Sequence, residues 1–153
     1  MASQRTRSLV PEGKLRFYYW HIVTALAENA EFLSPEAVDH RPPDEFLVEW
    51  RAHIEATIIF RDGSRLIVRA ELDDTTEVRE YDYAYVYLDA DGKRLLQYDD
   101  APHHPAISTH PHHLHKGEAP VEGRDQAYEL DIPQVDFATV LAKVVDDYLK
   151  KSQ

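Results

Sequence analysis

The chain contains no cysteine. Disulfides and thiolate metal sites are therefore excluded, and any metal would have to be held by imidazole and carboxylate. No stretch approaches the ~18 consecutive apolar residues of a membrane span. The leading MASQRTRSLVPEG carries basic residues but no apolar core of a secretory signal, so residues 1–10 read as a frayed leader. Phosphate-binding glycine loops, dinucleotide fingerprints, nucleophile elbows and internal repeats are all missing. Positive charge is also short. Seventeen Lys and Arg face 28 Asp and Glu, for a formal net charge of −11. That balance is solubilising and argues against a loose grip on nucleic acid, while leaving room for a local basic face or a basic partner. With 43% hydrophobic residues and nine tyrosines in 153 positions, the chain is expected to fold as one cytoplasmic domain over residues 1–153.

What is abundant is histidine, and it is concentrated. Six of the nine histidines lie between Tyr98 and Gly117, at positions 103, 104, 110, 112, 113 and 115. Pro102, Pro105 and Pro111 punctuate the segment, and Asp99 and Asp100 lead into it. Proline removes backbone donors and biases the preceding residue to extended geometry, so residues 98–117 are expected to form a stiff loop rather than a helix or a central strand. Histidine titrates near neutrality, which suits it to proton transfer, metal ligation or anion contact.

Around this segment the hydrophobic periodicity outlines a fold. Leu15, Tyr18, Tyr19, Ile22, Leu26 and Ala30 recur at helical spacing between Lys14 and Phe32. The aromatic run Phe17–Trp20 is read as core and His21 as structural. Ser34-Pro35-Glu36 reads as a short turn and Arg41-Pro42-Pro43 as a linker. A strand begins near Phe46 and alternates to Phe60. Asp62-Gly63 then signals a hairpin whose three-residue loop opposes Ile58 to Leu66 and Ala56 to Val68. Arg65–Leu72 is the second strand and Val78–Asp89 the third. Ala90-Asp91-Gly92 closes the next hairpin into Arg94–Tyr98, and Ala127–Leu130 is a candidate for a short fifth strand. Beyond Pro133, Val135, Ala138, Leu141, Val144, Val145, Tyr148 and Leu149 mark an amphipathic helix. The expectation is an α+β fold, an antiparallel four- to five-stranded meander with N-terminal and C-terminal helices on one face and the other face open.

The third strand admits two readings. Tyr81, Tyr83, Tyr85 and Tyr87 share one face, and Ala84, Val86 and Leu88 the other. If the aliphatic face is core, the tyrosines beside Arg65 and Arg69 form an open stripe with the layout of a stacking and phosphate-binding surface. If the tyrosines are core, the stripe means packing, and Glu80 and Asp82 face water.

Two boxes carry a resemblance: Tyr98-Asp99-Asp100-Ala101-Pro102-His103-His104-Pro105, then His110-Pro111-His112-His113-Leu114-His115. Together with the hairpins DGSRL (Asp62–Leu66) and DADGKRL (Asp89–Leu95), they resemble the TumE family of toxins from prokaryotic toxin–antitoxin modules. Asp100 stands where that family usually has Asn, and Leu114 where it usually has Lys, which removes a cation from a place suited to a phosphate. The resemblance implies a cytoplasmic toxin that is neutralised by a cognate antitoxin and acts on RNA.

Three chemistries remain open for the segment. A metal-independent ribonuclease would use two imidazoles as base and acid, with His104 and His113 preferred and His103, His112 and His115 as alternatives. Asp99 would orient a ring, and Arg69 or Lys116 would hold phosphate. RNA contacts would come from Arg65, Arg69, Tyr83, Tyr85 and Lys116. Such an enzyme needs no cofactor. Alternatively, Asp99, His113 and His115 would hold a divalent metal such as zinc. In the third, a binding module would block its target sterically.

Overall fold

Two Asp-Gly turns set the register of the sheet. In the computed structural model, which describes residues 13–35, 51–73 and 79–152, Gly63 and Gly92 have φ of 86° and 84°. L-residues with a Cβ reach that region only at a cost, and glycine reaches it freely. Each turn is a three-residue loop. Gly63 N–H donates to Phe60 O and Phe60 N–H to Ser64 O, both at 3.0 Å, while Gly92 N–H donates to Asp89 O and Asp89 N–H to Lys93 O. The first turn joins β1 (Arg51–Ile59) to β2 (Arg65–Asp73), opposing Ile58 to Leu66 and Ala56 to Val68 as expected from the turn chemistry. The second joins β3 (Arg79–Leu88) to β4 (Arg94–Asp99). The beginning of the first strand near Phe46, the start of the third at Val78, the turn at Glu36, the proline linker and the leader lie outside the described residues.

The sheet is antiparallel in the order β1-β2-β3-β4-β5, and its fifth strand corrects the expected loop. Residues His113–Lys116 form β5, pairing Asp99 with His113, Tyr98 with Leu114 and Gln97 with His115. The prolines end at Pro111, so β5 keeps all the donors an edge strand needs. Ala127–Leu130, the expected fifth strand, contributes only a bridge from Tyr128 to Leu114.

Both helices lie on the same face. Helix α1 (Gly13–Glu28) buries Ile22 and Ala25. Helix α2 (Phe137–Val144) continues through a wider turn over Val145–Leu149 and buries Phe137, Val140, Leu141, Val144, Val145 and Leu149. Asp136 caps α2, its side chain accepting from Thr139 N at 2.8 Å. The helices cover Ile54, Leu66, Val68, Tyr83, Tyr85, Tyr87, Leu96, Tyr98 and Leu114 in one core. The architecture is α+β with one sheet face covered and the other open. Among the described residues, no helix is long and apolar enough to cross a membrane.

The tyrosine stripe is thereby resolved. Tyr83, Tyr85 and Tyr87 are each no more than 2% exposed, so the RNA-stacking role expected for Tyr83 and Tyr85 is corrected. Each ring buries more apolar area than any aliphatic residue on the opposite side, and that area decides which face turns inward. A β-bulge refines the pattern. Between Arg69 and Glu71 the register slips, and Asp82 adopts φ of 45°. Asp100 holds the bulge by accepting from Asp82 N at 2.9 Å and Tyr83 N at 3.0 Å. Beyond it the side-chain parity reverses, so Tyr81 is exposed and Glu80 turns into the core. There Glu80 accepts from the hydroxyls of Tyr18 and Tyr85 and from Phe137 N at 3.1 Å. Burial pushes its carboxyl up to about 7. The expectation that Glu80 faces water when the tyrosines are core is corrected by that bulge.

A candidate imidazole and carboxylate site

The pairing of β4 with β5 writes two rows across the open face of the sheet. Strand registers place Glu55, Arg69, Ala84, Asp99 and His113 in one row, and Thr57, Ile67, Val86, Gln97 and His115 in the next. Alternation on β5 puts His113 and His115 on this face and Leu114 on the core face. The loop from Asp100 to His112 folds over the β4–β5 end of the rows and brings His104 onto them. Its ring centroid lies 4.8 Å from that of His113 and 5.5 Å from that of His115. Toward β1 and β2 the rows stay open as a trough of about 530 Å³ lined by Glu55, Thr57, Ile67, Arg69, Ala84 and Val86.

Within the cluster the contacts are short and directional. His113 Nε2 lies 3.0 Å from Asp99 Oδ1 and 3.1 Å from His115 Nε2, and His115 Nε2 lies 3.5 Å from Asp99 Oδ2. His104, His113 and His115 each place a ring nitrogen within 4.8 Å of the other two. Asp99, His113 and His115 are buried, whereas His104 is partly exposed and forms the mouth. Partial desolvation lowers the pKa of His104, and the neighbouring His113 and His115 lower it further.

Each buried member is oriented from behind. His113 Nδ1 is 2.8 Å from Pro111 O and His115 Nδ1 is 2.9 Å from Gln126 O. Carbonyl oxygens only accept, so both Nδ1 atoms carry the proton. Asp99 accepts from Gln97 Nε2 at 2.8 Å and from Ala101 N at 3.0 Å. Asp125 stands 3.3 Å from His115 Nδ1 and is held by two bonds from Arg94, which keep its pKa low. Gln97, Arg94, Asp125 and Gln126 were not foreseen from the sequence. Alternation would have placed Gln97 beside Asp99. Nothing local marks the other three: Arg94 opens β4, and Asp125 and Gln126 arrive from a connection folded back across β5.

The other expected site residues lie elsewhere. His103 is exposed. His112, also exposed, bonds through Nδ1 to the Tyr83 hydroxyl at 2.7 Å and stacks on that ring. Arg65 and Arg69 are exposed on β2, on the open face but two strands from β4. The Lys116 ammonium lies 4.7 Å from the centroid of Tyr128, on the opposite side of β5 from the two histidines. Leu114 is fully buried against the core, so a cation at that position would not meet a substrate at the cluster.

Comparison with known proteins agrees with the two boxes. No curated protein and no solved structure matches the chain. The family model described as toxin TumE matches residues 29–148, which takes in the whole histidine segment, the five strands and most of the C-terminal helix. The chain thus belongs to the TumE toxin family, as the toxin component of a toxin–antitoxin pair.

Proposed function

We propose that this toxin acts on RNA, and that its chemistry is phosphodiester cleavage at the cluster of Asp99, His104, His113 and His115. The observation that carries this reading is the convergence of three imidazoles and one carboxylate, in the same cross-strand rows as an open trough. Cleavage at a 2′-hydroxyl needs a base to take the hydroxyl proton as O2′ bonds to phosphorus, and an acid to protonate the departing 5′-oxygen as the P–O bond breaks. His104 is the imidazole that reaches solvent, and its lowered pKa leaves it neutral and able to accept that proton at physiological pH. His113, backed by Asp99, is the paired group for the leaving oxygen. Arg69, in the same cross-strand row as Asp99 and about 10 Å away at two strand spacings, would hold a neighbouring phosphate. The apolar floor of Ile67, Ala84 and Val86 would take a base. With a net charge of −11, affinity has to come from such local contacts rather than from the overall field. The antitoxin would neutralise the toxin by covering this face.

The test is expression without the antitoxin, followed by sequencing of RNA ends, with wild type compared to His104→Ala. Growth arrest with new RNA termini, lost in the folded variant, supports the reading. Arrest with intact RNA overturns it.

A further inference from the structure

The geometry points to a divalent metal site at this cluster, with Asp99, His113 and His115 as ligands and His104 facing the ion from the loop. An ion there would occupy the His113 Nε2 that the metal-free reading uses as the acid, so it would replace that one role while the RNA substrate and the His104 base stay as proposed above; only this catalytic consequence rests on that reading. The argument starts from the tautomers. Both Nδ1 atoms are committed as donors to the carbonyls of Pro111 and Gln126, so in the neutral rings both Nε2 atoms present lone pairs. Those lone pairs meet at 3.1 Å, with carboxylate oxygens at 3.0 and 3.5 Å. Acceptor atoms of three side chains converging in a buried place repel one another unless a positive centre lies between them. A shared proton satisfies two of them at a time, whereas one divalent ion satisfies all three.

The spacing fits as well. Bonds of 2.0–2.1 Å in a tetrahedral arrangement separate donor atoms by about 3.3 Å, against 3.1 Å between the two Nε2 atoms, 3.0 Å from His113 Nε2 to Asp99 Oδ1 and 3.5 Å from His115 Nε2 to Asp99 Oδ2. Imidazole and carboxylate donors suit zinc and its first-row neighbours. The surroundings match what metal ligands require: each ring is fixed through its far nitrogen by a carbonyl, and Asp99 is fixed by Gln97 and the Ala101 amide. Three protein ligands leave one position toward His104, the side from which the cluster is reached. Supply of a polarised water at that position is the chemistry such an ion would add.

The experiment uses the full chain without an affinity tag, dialysed against Zn²⁺ and then against metal-free buffer, with metal content and thermal unfolding both measured. One ion per chain and a rise in Tm that EDTA reverses are expected. His115→Gln and Asp99→Asn should each weaken binding by about 100-fold or more, since loss of an outer-shell partner alone costs ~10–100-fold. The double variant His103→Ala/His110→Ala should bind as wild type. In the Co²⁺-loaded protein, a visible spectrum of four-coordinate type checks the ligand set even if a variant folds poorly. Uptake well below one ion per chain, or uptake lost in His103→Ala/His110→Ala but kept in His115→Gln, overturns the site. RNA cleavage that persists in EDTA with no ion bound would sink the metal and spare the RNA reading. A stoichiometric ion with no RNA cleaved would do the reverse.

Discussion

On the core face of β3, β4 and β5, Tyr85, Tyr87, Tyr98 and Leu114 are held by the area they bury. One residue along each strand, on the open face, Asp99, His113 and His115 are held by the direction of single atoms. A buried side chain of the first kind contributes about 1.5–3 kcal/mol wherever it fills its space. A group of the second kind contributes little to folding and loses its use when displaced by an ångström. The same ladder serves both faces, so β5 can fasten the edge of the core through Leu114 while presenting two imidazoles to the other side.

The comparison is sharpened by substitutions on each face. Tyr85→Ala should have the largest effect, about 3–5 kcal/mol lost from stability because a cavity opens among fully buried rings. The measurement is the urea midpoint of unfolding, and a loss below about 1 kcal/mol would contradict the assignment of faces. His104→Ala should leave that midpoint nearly unchanged and lower RNA cleavage ~10²–10⁴-fold, the usual worth of a positioned acid or base.

A third experiment crosses from one face to the other at Glu80. Its carboxyl is raised to about 7 because burial disfavours the charged form and Asp136 repels it, against the Tyr18 and Tyr85 hydroxyls and the Phe137 amide. A folded-state pKa above the ordinary 4.5 means that the native state keeps the proton longer. This contribution is full below about pH 4.5 and is lost as pH rises through 7, a fall of up to roughly 3 kcal/mol. Glu80→Gln should flatten that part of the stability–pH curve, and an unchanged slope between pH 5 and 8 would refute the account. The smallest effect is expected at the bulge. Asp100→Asn replaces one of two accepting oxygens with a donor facing a backbone N–H, and should cost about 1 kcal/mol in thermal or urea unfolding while leaving RNA cleavage in place.

Much of this fold was legible because local chemistry and global pairing agree. The Asp-Gly turns specify three-residue loops, and the register from Ile58–Leu66 to Ala56–Val68 follows from them by parity. The tyrosine stripe was legible only as two alternatives, since periodicity says which residues share a face and not which face is covered. The bulge at Asp82 was not legible, because no glycine marks it and its anchor, Asp100, lies on the next strand's end. In the site, composition pointed to Asp99 and six histidines. Which of them meet depends on β5, whose sequence His113-Leu114-His115-Lys116 offers one apolar residue and sits behind three prolines. Long-range supports such as Arg94 with Asp125 leave no trace in sequence spacing.

The left-handed residue at position 82 has a reach far beyond its own turn. Were β3 to run through this point at full length without the bulge, uninterrupted alternation would draw Tyr81 beneath the helices and expel Glu80 toward solvent. The first amide of α2 would then lose its acceptor, and the Tyr18 hydroxyl its partner. The single extra residue in β3 is therefore what lets one carboxyl reach both helices at once.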